Sequence, residues 1–408
     1  MSSASAPLFL LRNAEVFAPE PLGRPQLLLG GGRILWMGAE SDPMPGGLPL
    51  EVVDLMGARL VPGFIDSHVH VTGGGGEGGF ATRVPPLPLS RYTAGGVTTV
   101  IGLLGTDDVA RGPRELVATL LALREQGLSA WGHCGGYHLP PTTLTGSVRS
   151  DLVFIDALIG VGELALSDHR SSQPTLDELL RVAADCHVAG MISGKAGIVH
   201  LHLGDGERGL DLVRRALEVS EIPARVFNPT HVNRRRALFE EALDLARGGC
   251  VVDVTAFPVE DGEDAWSAAD AFVRYLDSGA PAQNLTISSD AGGCLPCFDA
   301  HGHLCGMDVG APRALSATLS ELLRRGVPLE SALPPFTSNP ARLLRLDRKG
   351  RIAVGADADL VAFDAQGAIR EVIARGVFHV RAGQLVKRGN FEADLSAPDP
   401  NSPSQGRT

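Results

Sequence analysis

The sequence lacks any uncharged apolar run approaching the roughly 20 residues that cross a bilayer, and its first residues carry no basic segment typical of a signal peptide. Its six cysteines are too few for a disulfide framework in a chain of 408 residues. Basic charge is also scarce, because 36 lysines and arginines face 47 acidic residues for a net charge of −11. We therefore predict a cytoplasmic protein with neither a membrane nor a nucleic-acid partner.

The apolar residues that are present follow two patterns. Near both ends of the chain they form short strands separated by glycine, proline and polar turns. Between the ends, eight buried-strand candidates, from GFIDSHVHV to NLTISSD, alternate with amphipathic helices. We predict an α/β fold in which residues 61–344 form a metal-binding (β/α)8 TIM-like barrel, while 1–60 and 345–391 form a small β-sandwich domain from both chain ends. The Pro- and Ser-rich residues 392–408 are predicted to be a disordered tail.

Metal-binding side chains recur where the predicted strands end. The first strand carries a histidine pair, HVH, whose residues i and i+2 point to the same side. The full set comprises His68 and His70 on the first strand, Glu163 on the fourth, His202 on the fifth, His231 on the sixth and Asp290 on the eighth. Imidazole and carboxylate groups are good zinc ligands, and barrel enzymes hold their chemistry at these strand ends. The pattern predicts a metal centre at one end of the barrel.

Longer motifs add specificity to this pattern. GGGGEGG, GGYHLPPTTLTGSVRSD, SDHRSSQP, HLHLGD, PTHVNR and ISSDAGG follow one another in order between about Pro62 and Asp290. Together they resemble the isoaspartyl (β-aspartyl) dipeptidase family of the metal-dependent amidohydrolases. The resemblance implies a metallopeptidase that hydrolyses β-aspartyl dipeptides, which are small zwitterions, by a zinc-activated hydroxide. It also implies a homo-oligomer.

The resemblance further implies a role for each matching residue. His68, His70 and Asp290 would hold one zinc ion, and His202 with His231 would hold a second. Asp290 would also accept the proton of the attacking water and pass it to the leaving amine. The remaining roles are oxyanion stabilisation by Tyr137, binding of the substrate ammonium by Gly75, Glu77 and Thr106, and carboxylate binding by Arg170, Arg234 and Cys294, where the family usually has serine.

The position that departs most from the family is the bridge between the two metals. Many dinuclear amidohydrolases use a carbamylated lysine there, whereas the matching residue of this chain is Glu163. The chain has only three lysines, Lys195, Lys349 and Lys387, and Lys195 falls at the wrong end of its strand. We predict that Glu163 and a hydroxide bridge two zinc ions. The alternative is a single-zinc enzyme in which Glu163 only hydrogen-bonds a ligand histidine.

The residues leave further alternatives open. The chain could be another amidohydrolase, acting on a cyclic amide or an N-acyl amino acid, or a non-catalytic barrel that has lost its metal.

His200 forms a second HxH motif with His202, and we interpret it as support for the site rather than as a ligand. The segment from Cys294 to Cys305 contains three cysteines and two histidines. We interpret it as a loop covering the substrate rather than a separate zinc site, because no second CxxC completes one.

Overall fold

The computed structural model describes residues 8–43, 47, 49–298 and 304–392. Residues 393–408, nearly all of the predicted tail, lie outside this description. Short strands make up the first part of the described chain, as the alternation of apolar runs and turns predicts. They are β1 (Leu8–Arg12), β2 (Glu15–Phe17), β3 (Pro21–Gly23), β4 (Gln26–Gly30), β5 (Arg33–Gly38), β6 (Leu50–Asp54) and β7 (Arg59–Pro62).

A curled parallel sheet forms the centre of the molecule. Its strands are β8 (Phe64–Val69), β9 (Val97–Gly102), β10 (Ser129–Cys134), β11 (Leu158–Leu166), β12 (Ile198–Leu203), β13 (Phe227–Thr230), β14 (Val252–Thr255) and β15 (Leu285–Ser288). Strands β8 to β13 pair in sequence order, and β14 pairs with β15. Strand β14 also lies against β13, and β15 lies against β8, where Val69 bridges to Ala291. The arrangement is consistent with a TIM-like barrel, in which the carboxyl ends of all strands meet at one rim.

Helices separate most of these strands. They are α1 (Leu89–Ala94), α2 (Pro113–Glu125), α3 (Val148–Phe154), α4 (Leu176–Ser193), α5 (Asp211–Val219), α6 (Arg236–Arg247), α7 (Ala268–Asp277), α8 (Arg313–Arg324), α9 (Leu329–Ala332) and α10 (Ser338–Leu343). In α2, Leu116, Leu120 and Leu123 are buried at helical spacing, which places one apolar face against the sheet. Among the described residues, no helix combines the length and the apolar character that a membrane crossing requires.

Both ends of the chain contribute strands to one seven-stranded sheet. The later strands are β16 (Cys294–Phe298), β17 (Leu304–Val309), β18 (Leu360–Phe363), β19 (Ile369–Ala374), β20 (Val377–Arg381) and β21 (Gln384–Leu385). The sheet order is β21-β20-β19-β18-β7-β2-β3, and a second sheet has the order β5-β4-β1-β6. Phe9 and Leu29 of the second sheet share an apolar cluster with Leu60 and Leu360 of the first. The sandwich domain and its boundaries at residues 60 and 345 remain predictions.

Two segments differ from the sequence-based interpretation. The run VFIDALIGVGELAL does not form one long strand, because Val153 and Phe154 end helix α3. That helix is fixed by Ser147, whose side chain accepts a hydrogen bond from the Ser150 N–H at its first turn. The segment after Cys294 is not an irregular loop, because β16 and β17 pair as an antiparallel hairpin. His301 and His303 of this segment lie outside the described residues.

Candidate active site

Six buried side chains converge at the carboxyl ends of the barrel strands. None of them is more than 6% exposed. They are His68 in β8, His70 just after it, Glu163 in β11, His202 in β12, His231 directly after β13, and Asp290 two residues after β15. The sequence pattern therefore located a real cluster, because strands that run in parallel bring their ends to the same rim.

Glu163 lies between two groups of ligand-type atoms. Its Oε2 atom is 2.7 Å from Nε2 of His68 and 3.8 Å from Nε2 of His70. Its Oε1 atom is 2.8 Å from Nδ1 of His202 and 3.9 Å from Nε2 of His231. One carboxylate thus presents a separate oxygen to each histidine pair, as a bridging ligand does. A glutamate is long enough here to reach both groups.

Asp290 completes the first of these groups. Its Oδ1 atom is 3.1 Å from Nε2 of His70 and 3.4 Å from Nε2 of His68. Burial alone would raise the pKa of the Asp290 carboxyl, but His68 and His70 beside it hold that pKa well below its usual range. Burial likewise opposes ionisation of Glu163, yet His68 and His202 beside it hold the pKa of its carboxyl well below its usual range. Both carboxyls are therefore anionic, which suits ligands of a divalent cation.

The unpaired atoms of this cluster fit a metal. Within the described chain, Nε2 of His68, Oε2 of Glu163 and Oδ1 of Asp290 are buried and make no hydrogen bond of good geometry. Buried polar atoms in this state raise the free energy of the fold unless something binds them. Nitrogen and carboxylate oxygen donors in sets of three or four are typical of zinc. The residues of the first group are therefore suited to hold a metal ion, and in the second group ligand atoms of Glu163, His202 and His231 lie within 4.8 Å of one another.

Two of the candidate ligands have unusual backbone conformations. His231 has φ 59° and Asp290 has φ 52°, in the left-handed region that non-glycine residues rarely adopt. Nδ1 of His231 lies 2.7 Å from Oγ1 of Thr255, a contact that helps to hold the ring. A left-handed residue costs on the order of 1 kcal/mol and concentrates at functional sites. Here it lets each side chain join the cluster just after its strand has ended.

The residues predicted to bind the substrate ammonium form a hydrogen-bonded chain beside the cluster. Oγ1 of Thr106 donates to Oε1 of Glu77 at 3.1 Å, and NH1 of Arg170 donates to the same oxygen at 3.1 Å. Arg170 in turn holds both oxygens of Asp168, at 3.0 Å through Nε and 2.7 Å through NH2. The structure therefore brings together predicted ammonium and carboxylate binders that are 93 residues apart in sequence.

Tyr137 and Arg234 also lie against His202. The Tyr137 hydroxyl is 2.9 Å from Nδ1 of His202, and the Arg170 guanidinium lies over the Tyr137 ring at 5.4 Å. NH1 of Arg234 donates to the Leu203 carbonyl at 3.2 Å and lies 3.4 Å from Nε2 of His202. Both predicted carboxylate-binding arginines thus border His202, a candidate metal ligand.

Gly75 and Cys294 meet at the edge of this region. Gly75 has φ 69°, and a Cβ atom there would lie 2.5 Å from the Thr82 carbonyl oxygen, so only glycine fits. The same position is 3.5 Å from Cβ of Cys294, which places these two predicted residues side by side. Sγ of Cys294 lies 3.2 Å from Sδ of Met307 in the neighbouring strand of the hairpin.

Asp168 is a site residue that the sequence analysis missed. It is buried, its Oδ2 is 2.9 Å from Nε2 of His202, and it also pairs with Arg170. Burial would raise the pKa of Asp168, but hydrogen bonds from His202 and Arg170 hold it well below its usual range. One carboxylate thus orients both a candidate metal ligand and a candidate substrate ligand. The available signal was its place in SDHR, directly after a strand.

Lys195 does not take part in the cluster. Its Nζ atom donates to the carbonyl oxygens of Leu152 at 2.7 Å and Ile155 at 2.6 Å. These carbonyls belong to the end of helix α3 and the residue after it, at the opposite end of β11 from the cluster. The Lys195 amine, which would have to be carbamylated to bridge two metals, therefore makes its hydrogen bonds away from the cluster.

Comparison with solved structures decides the family. A crystal structure of the β-aspartyl dipeptidase of Fervidobacterium islandicum AW-1, in complex with β-Asp-Leu dipeptide, is 43% identical to this chain with a TM-score of 0.87. The match covers 95% of this chain and 100% of that one. The chain belongs to the isoaspartyl dipeptidase family of the amidohydrolase superfamily. The family model described as "Amidohydrolase family" matches residues 261–387 of this dipeptidase-family protein.

More distant relatives are named for other activities. A deacetylase from Agrobacterium fabrum is 26% identical over 365 residues, which are 83% of this dipeptidase-family chain and 78% of the deacetylase. The N-acetylglucosamine-6-phosphate deacetylase of Pasteurella multocida is 18% identical with a TM-score of 0.63, and covers 92% of this chain and 100% of its own. That likeness shows the fold alone. Membership of the superfamily makes this dipeptidase-family protein a hydrolase of a group that is typically metal-dependent.

Proposed function

We propose that this protein hydrolyses β-aspartyl dipeptides with two zinc ions bound on either side of Glu163. The observation that carries the proposal is the set of charges beside the ligand cluster, namely Glu77, Arg170 and Arg234. A β-aspartyl dipeptide carries one ammonium group and two carboxylates, which one anionic and two cationic side chains complement. The β-Asp-Leu bound by the Fervidobacterium enzyme supports the same substrate class.

The zinc ligands would divide between the two groups around Glu163. One ion would be held by His68, His70, Asp290 and Oε2 of Glu163, and the other by His202, His231 and Oε1 of Glu163. When bound, two divalent cations lower the pKa of water and polarise a carbonyl group. The protein's contribution is to keep its donors buried, anionic where they are carboxylates, and fixed by contacts from residues such as Asp168 and Thr255.

Two side chains would handle charge and protons during hydrolysis. Asp290, held as a carboxylate, would accept the proton of the attacking water and return it to the leaving amine. Tyr137 would donate a hydrogen bond to the oxyanion that develops on the substrate. Burial raises the pKa of Tyr137 well above its usual value, so its hydroxyl keeps the proton that this role requires.

A second candidate function is deacylation of an N-acyl amino acid. The similarity to a deacetylase over 83% of the chain favours it. An N-acyl amino acid has no free ammonium group, however, so Glu77 would have no partner in such a substrate. We therefore prefer the dipeptide, and a comparison of β-Asp-Leu with N-acetyl amino acids separates the two candidates.

The two isomers of an aspartyl dipeptide should react at very different rates. We expect hydrolysis of β-Asp-Leu and a value of kcat/KM for α-Asp-Leu lower by roughly 30-fold or more, because moving the peptide bond displaces at least one charge from Glu77, Arg170 or Arg234. Loss of one such charge-assisted contact costs about 2–4 kcal/mol. Steady-state rates on the two purified dipeptides provide the measurement. Equal rates, or activity on dihydroorotate or hydantoins alone, would contradict the proposal.

Truncation of either candidate carboxylate-binding arginine should weaken transition-state binding. For Arg170→Ala or Arg234→Ala we expect kcat/KM on β-Asp-Leu to fall by a factor that corresponds to about 2–4 kcal/mol of lost transition-state stabilisation. This is the cost of leaving a carboxylate without its guanidinium partner. Arg235→Ala is the matched control, because the Arg235 side chain instead donates to the Gly206 carbonyl at 2.9 Å. If all three variants behaved alike, the substrate carboxylates would have to lie elsewhere.

A further inference from the structure

Three buried residues form a hydrogen-bonded line that ends on His68. Nδ2 of Asn228 donates to the Val251 carbonyl at 2.7 Å, and Oδ1 of Asn228 lies 2.6 Å from Nδ1 of His200. Nε2 of His200 lies 2.8 Å from Nδ1 of His68. Asn228 is 1% exposed, and both histidines are fully buried. Each polar atom in this line therefore has to match the next one, because atoms shielded from bulk solvent cannot exchange a wrong partner for solvent.

With neutral imidazoles, the line has one consistent direction. The Val251 carbonyl can only accept, so the amide nitrogen of Asn228 faces it and the amide oxygen faces His200. Nδ1 of His200 must therefore carry a proton. A fully buried imidazole is neutral by preference and holds a single proton, so Nε2 of His200 is left as an acceptor. It can accept only from a protonated Nδ1 of His68.

We propose that Asn228 and His200 are positioning residues that fix the tautomer of His68, so that its Nε2 atom presents a lone pair to a metal. Nε2 of His68 is the atom that faces Oε2 of Glu163 and Oδ1 of Asp290. The opposite tautomer would place an N–H group there and block coordination. The proposal rests on the metal-binding part of the proposed function, and it concerns the ion held by His68 and His70.

His231, another buried candidate ligand, is not supported by a hydrogen-bonded line of this kind. Nδ1 of His231 contacts the hydroxyl of Thr255, which can donate or accept and so specifies neither tautomer by itself. Asn228 and His200, in contrast, occupy paired positions on neighbouring strands β13 and β12. The register of β12 against β13 therefore places His200 beside Asn228. Through His200, a side chain on β13 determines which nitrogen of His68, on β8, carries the proton.

The test compares zinc binding by two variants at His200. His200→Leu removes the acceptor, and we expect the affinity for one of the two zinc ions to fall by roughly 10- to 100-fold, the usual effect of losing an outer partner of a ligand histidine. His200→Gln keeps an amide oxygen near the position of Nε2, so most of the affinity should return. Zinc per chain and competition with a chelator measure this without any substrate.

His133→Leu is the matched control. The His133 ring stacks on His200, with centroids 5.4 Å apart, and contributes no atom to the line. It should leave zinc affinity close to that of the parent protein, while its unfolding temperature reports the effect of the lost packing. Asn228→Leu provides a second route if His200→Leu does not fold, because it frees the tautomer of His200 but leaves its ring in place.

The proposal is overturned if His200→Gln loses as much zinc as His200→Leu, if His133→Leu loses zinc equally, or if folded Asn228→Leu keeps full affinity. Selective loss of one zinc ion in His200→Leu and Asn228→Leu, with recovery in His200→Gln, supports it. This test does not depend on which substrate the enzyme uses. Protein that binds two zinc ions but leaves β-Asp-Leu intact would refute the proposed reaction. The zinc affinities of the variants would still show whether Asn228 and His200 fix the tautomer of His68.

Discussion

Zinc-free protein supplied with zinc in bicarbonate-free buffer should regain full activity without a lag. A carbamylated lysine needs dissolved carbon dioxide to form, whereas the carboxylate of Glu163 is already present in the side chain. Glu163 places one oxygen 2.7 Å from His68 and the other 2.8 Å from His202, so it spans both ligand groups as it stands. Activity is followed over time after zinc addition, in parallel samples with and without bicarbonate, and two zinc ions per chain should be recovered.

Removal of the Glu163 carboxylate should strongly reduce both the zinc content and the activity of the enzyme. Two dications a few ångströms apart repel strongly, and a bridging anion offsets that repulsion. We expect Glu163→Ala to lose at least the more weakly held zinc ion and, with it, at least about 10²-fold in rate, since a catalytic metal contributes several kcal/mol. Glu163→Gln, which keeps the shape but not the charge, should resemble Glu163→Ala in zinc content.

Two results would contradict the bridge. Clear dependence of reactivation on bicarbonate would point to a carbamylated lysine and hence to Lys195, despite its contacts with Leu152 and Ile155. A fully active preparation with one zinc ion per chain would instead support the single-zinc alternative. Glu163 would then act only through its contact with Nδ1 of His202.

Asp290→Asn should abolish most of the activity while leaving the fold intact. The amide preserves the size of the side chain but cannot accept a proton from water, and loss of a general base typically costs 10²- to 10⁴-fold. We expect at least about 10²-fold in kcat, with an unfolding temperature close to that of the parent protein. Rates on β-Asp-Leu and thermal unfolding curves are the two measurements.

Zinc content separates the two roles of Asp290. Its Oδ1 atom faces both His68 and His70, so the residue is also a candidate ligand. Retention of two zinc ions with a large rate loss would support proton transfer. A variant that keeps most of its rate would remove Asp290 from that role, and loss of zinc in proportion to activity would assign it to metal binding alone.

The strand ends were the part of this structure that the sequence revealed most directly. A strand buried on both faces reads as a continuous apolar run, as in β11, where all nine residues are buried. A histidine or carboxylate at the end of such a run is conspicuous, and parallel strands bring their ends to one rim. This is why six candidate ligands far apart in sequence can be grouped from the sequence pattern alone.

Contacts between side chains of different strands could not be predicted in the same way. The pairing of His200 with Asn228 depends on the register of β12 against β13, which no local pattern specifies. Asp168 was visible as an acidic residue after a strand, but its contacts with both His202 and Arg170 depend on how the loop after β11 folds against β12. The pairing of β16 with β17, in the segment interpreted as a loop over the substrate, likewise depends on register rather than on a local pattern.

The chain of contacts from Thr106 through Glu77 and Arg170 to Asp168 has a consequence for ligand selection. Every charge in it already has a counter-ion, so a ligand enters by exchanging partners rather than by filling vacant ones. A ligand with an ammonium group would take the place of NH1 of Arg170 at Glu77, and its carboxylate would engage that NH1 group, while Nε and NH2 of Arg170 stay on Asp168. A ligand with only an ammonium group would leave NH1 of Arg170 without an acceptor, and one with only a carboxylate would leave Glu77 with the Thr106 hydroxyl alone. Selectivity would then come from the free-energy cost of leaving a polar group without its partner. That cost would disfavour close analogues that lack one charged group as well as unrelated molecules.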